Sequence, residues 1–132
     1  MSTRSRIGIR LADDSILSVY HHYDGYPQWL GVTLKAKFNT FDKVAELIDG
    51  GDVSCIDSDT NWKREQLDTP IVLYYNDRGE NTEPRLDLND ADYFEVNEEY
   101  AYIFERDGVW NCYELPYQGK PKQVEIKECV TV

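Results

Sequence analysis

The chain has 132 residues, 41% of them apolar and 13% aromatic, which is enough for one core and a single domain over 1–132 without disulfide staples. Its formal net charge of −11 repels phosphate backbones and anionic bilayers, so direct nucleic-acid and membrane binding are set aside. Cys55, Cys112 and Cys129 include no close pair, and no apolar run approaches a membrane span, so disulfide frameworks, Cys-x-x-Cys sites and anchors are not expected and a reducing cytoplasm is.

Ile7, Ile9 and Leu11 alternate with polar or small residues, the period of a half-buried strand, and Ala12–Ser15 reads as a turn. A second strand over Ile16–Tyr23 stops at Asp24-Gly25-Tyr26-Pro27 and completes a hairpin. The period then changes. Leu30, Leu34 and Phe38 recur every four residues and predict a helix, which Asn39-Thr40 breaks. Thr40 is suited to cap a second helix with Phe41, Val44, Ala45, Leu47 and Ile48 on one face, ended by Gly50-Gly51.

Residues 52–70 are polar and read as a loop, with one helical turn at Trp62–Leu67. Asp57, Asp59 and Asn61 begin like a calcium loop, but Trp62 stands where glycine is required. Ile71–Tyr75 is a continuous apolar run, the pattern of a central strand covered on both faces. Leu88–Val96 suggests a short acidic helix with Leu88, Ala91 and Phe94 inward. Tyr100–Glu105 and Val109–Leu115 flank Arg106-Asp107-Gly108 as a second hairpin, and Val124–Lys127 alternates as a last strand. Together these predict an α+β fold: an antiparallel sheet of about five or six strands with two helices packed on one face.

Two segments carry functional expectations. Tyr20, His21, His22, Tyr23, Asp24, Tyr26 and Trp29 crowd a strand-to-helix junction where aromatic rings can sandwich a planar ligand. In a strand His21 and His22 face opposite sides, so they cannot share a metal, and no nucleophile or third ligand accompanies them. No cofactor, metal or catalytic residue is therefore assigned. The second segment, 77–107, holds 11 acidic residues against three arginines, a net of −8, with Tyr93, Phe94, Tyr100 and Tyr102 interspersed. Residues 1–38, by contrast, carry five basic residues against three acidic, a net of +2.

Ser5-Arg6-Ile7-Gly8-Ile9, Asp14-Ser15 and Ser18-Val19-Tyr20-His21-His22-Tyr23-Asp24-Gly25-Tyr26-Pro27, with Gly31 following, resemble the N-terminal motif of a family of small, uncharacterised bacteriophage and prophage proteins. The resemblance runs on through Asn39-Thr40, Gly51-Asp52-Val53-Ser54, Tyr75-Asn76-Asp77-Arg78-Gly79 and Glu99-Tyr100-Ala101-Tyr102. His21, Tyr23 and Gln28-Trp29 depart from it, standing where the family has Cys, Trp and Glu-Gly. It implies a phage accessory protein in the cytoplasm of an infected host cell.

The leading expectation is a non-enzymatic protein that binds and modulates a host protein through an acidic, tyrosine-rich surface including Glu95, Glu98 and Glu99. Alternatives are a small-molecule binder or sponge for nucleotide signals at Tyr20, His22, Tyr23, Asp24, Tyr26 and Trp29, with Arg6 or Arg10 nearby, and a nucleic-acid mimic.

Overall fold

The computed structural model describes residues 3–23, 25–57, 71–116 and 119–126. The first hairpin forms as its alternation predicts: β1 (Ser5–Arg10) pairs antiparallel with β2 (Ile16–His21), and Asp14 takes the turn's left-handed position at φ 72°. Pro27–Gly31 makes a wide π-type turn that leads into α1 (Val32–Lys37). In α2 (Phe41–Asp49), the Thr40 side chain accepts a hydrogen bond from the Lys43 amide at 3.2 Å. The chain leaves that helix through Gly51 at φ 90°.

β3 (Val53–Asp57) lies inside the predicted loop; its signal was a short Val53, Cys55 and Ile56 pattern among polar residues. The helical turn and the calcium-like triplet expected around 57–67 lie outside the described residues, apart from the backbone of Asp57. β4 (Ile71–Tyr74) is an edge strand among the described residues, not a central one: it pairs only with β3, and Leu73 is exposed. Its apolar run reflects packing against α2 instead, where the Tyr74 hydroxyl donates to the Leu47 carbonyl at 2.8 Å.

β5 (Arg85–Asp87) was not foreseen, since three residues carry too little period to read. The acidic helix shrinks to one turn, α3 (Asp90–Tyr93), capped by Asn89. Tyr93 is the residue buried there, while Leu88 and Ala91 face solvent. The second hairpin joins β6 (Tyr100–Phe104) to β7 (Trp110–Glu114) with Gly108 at φ 83°, and β8 (Lys122–Val124) falls two residues earlier than expected.

The fold is α+β, and the sheet is larger and less uniform than predicted. Its eight strands run β4-β3-β2-β1-β6-β7-β8, with β5 also on β2. Most pairs are antiparallel, but β1 lies parallel to β6 and β2 parallel to β3. Helices do pack on one face: Ile7, Ile9, Val19, Tyr102 and Phe104 meet Leu34, Val44 and Ile48 there. The opposite face is covered by the acidic excursion before β6, with Tyr93 and Phe94 over Ile16, Ala101 and Ile103. Among the described residues no helix is long and apolar enough to cross a membrane.

Candidate functional site

The acidic excursion sits where it does because β1 offers it arginines. Arg6 and Arg10 share the sheet face that Tyr93 covers, being four residues apart on one strand. Arg10 binds Asp90 and Glu105, and both raise the affinity of its guanidinium for its proton. Arg6 donates from Nε to Ser18 Oγ at 3.0 Å and meets Glu98 at 3.5 Å, with only 9% and 11% of the two side chains exposed. Arg4 meets Glu99 at 3.6 Å, and its amide donates to Glu99 Oε2 at 2.8 Å. The opposite charge balances of the two segments thus meet in part, through ion pairs of which Arg6–Glu98 is buried while Arg4–Glu99 is half exposed.

This divides the predicted acidic residues. Glu98 is an internal partner and is not available to dock anything. Glu95 is exposed and has no ion pair among the described residues. Glu99 is intermediate: it meets Arg4 and also lines a surface cleft.

The aromatic junction divides too. The Tyr20 hydroxyl and His22 Nδ1 lie 2.6 Å apart, and Tyr23 sets its edge on His22 at 4.5 Å between centroids. Nearby, Arg78 lies over the Tyr75 ring at 5.2 Å and donates to Ser54 Oγ at 2.8 Å. Arg6, expected to serve a ligand here, is committed to Ser18 and Glu98, and Arg10 to Asp90 and Glu105. Trp29 lies on the π-type turn, partly buried, and Asp24 lies outside the described residues. The junction is held from below: Tyr102 donates to the Gly25 carbonyl at 2.7 Å, and a Cβ on Gly25 would come within 2.7 Å of Ser5 Oγ.

His21 turns to the opposite side from His22, as the strand period requires, and is buried beside Ser5 Oγ at 3.4 Å. Burial, reinforced by His22, pushes its imidazole down to about 3. Between an unfolded value near 6.5 and that value, the unfolded chain binds the extra proton. Stability due to His21 is therefore complete above about pH 6.5 and falls with pH below it, by at most about 1.4 kcal/mol per pH unit. Urea unfolding at pH 7 and pH 5 is expected to show a smaller acid loss in His21→Gln than in the wild type. Equal losses would remove His21 from the account.

Tyr26 leaves the aromatic group and joins the acidic one. Its ring, 38% exposed, faces Tyr100 at 6.5 Å between centroids, tilted by 60°. Tyr100 sits directly across the hairpin from Glu114. With Thr3, Glu99, Leu115 and Pro116 these residues line an open cleft of about 320 Å³. Burial, and then Glu114, raise the Tyr100 phenol, so the Tyr100 ring presents a neutral π face beside Glu99 and Glu114. Such an arrangement attracts a cation through ring quadrupole and carboxylate together.

Tyr100 and Glu114 were not among the predicted site residues. The hairpin centred on Asp107 could have paired them, since its register places residues equally far from the turn opposite each other. Nothing local linked that pair to Tyr26. Among the described residues no group of three or more His, Cys, Asp and Glu side chains is placed to hold a metal ion. No family model, no curated protein and no solved structure matches the chain.

Proposed function

We propose that the protein works by occupancy: it binds a partner protein, in the phage context a protein of the host bacterium, through an acidic, tyrosine-bearing surface centred on the Tyr26–Tyr100 cleft. The observation that carries this reading is the convergence there of Tyr26 from the junction, Tyr100 and Glu99 from β6 and its approach, and Glu114 from β7. A basic side chain of the partner would stack on the rings with its charge between the carboxylates. Tyr anchors such contacts at low entropic cost, and carboxylates at the rim speed encounter with a basic surface.

The test is capture from bacterial lysate by the tagged protein at low and at high salt, with mass spectrometry of the eluate and with Tyr26→Ala and Glu114→Lys beside the wild type. The expected result is a discrete host protein that is retained at low salt, released at high salt and lost with either variant. A partner that both variants retain would overturn the cleft as the contact. The small-molecule reading is supported by the separate Tyr20–His22–Tyr23 group beside Arg78. An empty eluate together with a rise in melting temperature on adding nucleotides would favour it.

A further inference from the structure

The helical layer does not reach the whole sheet. α2 packs over β1 and β2, and α1 continues from it on the side of β6 and β7, which leaves β5 bare beyond β2. Leu86 of β5 lies directly opposite Leu17 of β2, so the two share a face, and it is the face that carries α2. Between α2 and the sheet runs an open groove of about 440 Å³, lined by Ile9, Leu11 and Leu17 from the sheet side and by Phe41 and Ala45 of α2. Phe41 and Leu86 are each 53% exposed, and Leu88, just past the strand, 71%. Phe41 lines the groove and Leu86 adjoins its Leu17, and exposed apolar side chains on and beside a groove mark a surface meant to be covered.

The rim states what kind of chain covers it. Glu46 and Asp49 line the groove, and Asp42 lies one turn before Glu46 on the same side of α2. All three are exposed and have no ion pair among the described residues, while Lys43 is turned to Asn39. A helix packs about 8–10 Å from its neighbour, roughly two strand spacings, which sets a third helix beside α2 over Leu17 and Leu86.

The geometry points to this groove as the docking site for a cationic amphipathic helix of a partner protein, its apolar side on Leu17, Leu86 and Phe41 and its basic side against Asp42, Glu46 and Asp49. Such a helix would complete the layer that α1 and α2 begin. This surface is separate from the Tyr26–Tyr100 cleft and does not depend on it.

The probe is a synthetic peptide of about 18 residues, long enough to be helical, with leucines on one face and lysines and arginines on the other. It is titrated into the isotope-labelled full chain and followed by amide chemical shifts. Shifts confined to residues around Leu17, Ala45, Leu86 and Leu88 are expected. Binding should weaken at least about tenfold with Leu86→Asp plus Leu88→Asp, and with Glu46→Lys plus Asp49→Lys. A peptide with the same leucine face and glutamates opposite should bind at least about tenfold more weakly than the cationic one. All four positions are exposed, so the variants keep the fold, and unchanged far-ultraviolet dichroism checks this.

Absent binding, shifts centred elsewhere, or equal binding of the two peptides would each overturn the proposal. So would a concentration-dependent dimer of the wild type in sedimentation that Leu86→Asp plus Leu88→Asp dissolves, which would give the face to a second copy. Each of these outcomes leaves the Tyr26 and Glu114 capture result standing or falling by itself.

Discussion

Tyr93→Ala is expected to lower the unfolding free energy by about 3–5 kcal/mol, the cost of emptying a large aromatic from a core. Tyr93 is fully buried and is the largest side chain that the acidic excursion lays on its face of the sheet, against Ile16, Ala101 and Ile103. Its hydroxyl donates to the Tyr102 carbonyl at 2.7 Å, so Tyr93→Phe is expected to cost only about 1 kcal/mol. The close approach depends on Gly8 in β1: a Cβ there would stand 2.9 Å from the Tyr93 hydroxyl and 2.8 Å from Ile16 Cγ2. Gly8→Ala should therefore destabilise as well, and less so in the Tyr93→Phe background, where one of the two clashes is gone. Urea titrations of these four variants and the wild type measure this. A loss below about 1 kcal/mol for Tyr93→Ala would mean that the excursion is held by its ion pairs and not by its aromatic.

The second large effect is expected at Arg6. Truncation to Ala leaves Glu98 with 11% of its side chain exposed and without its cation, and Ser18 Oγ without the Nε donor. Removing one member of a buried pair costs about 3–5 kcal/mol, mostly through the charge left behind. Arg6→Met combined with Glu98→Met should recover most of that loss, because neither charge then needs solvation. A double variant as unstable as Arg6→Ala would show that the fit of these two side chains matters more than their charge. In either case the pair is interior. Charge reversal at Glu98 would then read out as unfolding, whereas Glu95 and Glu114, exposed and without an ion pair among the described residues, are clean probes of the acidic surface.

The ion pairs change the meaning of the chain's charge. Read along the sequence, 77–107 is a block of like charges awaiting a partner. In the fold, Asp90, Glu98, Glu99 and Glu105 meet Arg4, Arg6 and Arg10. Asp77, Glu80, Glu83, Asp92, Glu95 and Asp107 of that block stay exposed, and further acidity stands on α2 at Asp42, Glu46 and Asp49 and at Glu114 in the Tyr26–Tyr100 cleft.

What the sequence by itself determined was local. The β1–β2 hairpin, the Thr40 cap and apolar face of α2, and the β6–β7 hairpin about Asp107-Gly108 each follow from a period or a turn residue within a few positions, and each stands as read. The opposite facing of His21 and His22 follows likewise from the strand period. Tertiary structure decided everything that depends on which distant strands meet. The parallel pairing of β1 with β6, 95 positions apart along the chain, brings Arg4 and Arg6 to Glu99 and Glu98, and no local pattern encodes that register. The three-residue β5 exists only because β2 offers it an edge, and the apolar run of β4 lies at a border because α2 covers it. Tyr26 and Glu114 share a cleft for the same reason: the sheet order carries β6 and β7 past the junction, and burial of Tyr93 and Tyr102 from opposite sides fixes it there. Periodicity records which way a side chain points, whereas the partner it finds is set by the total packing of both faces.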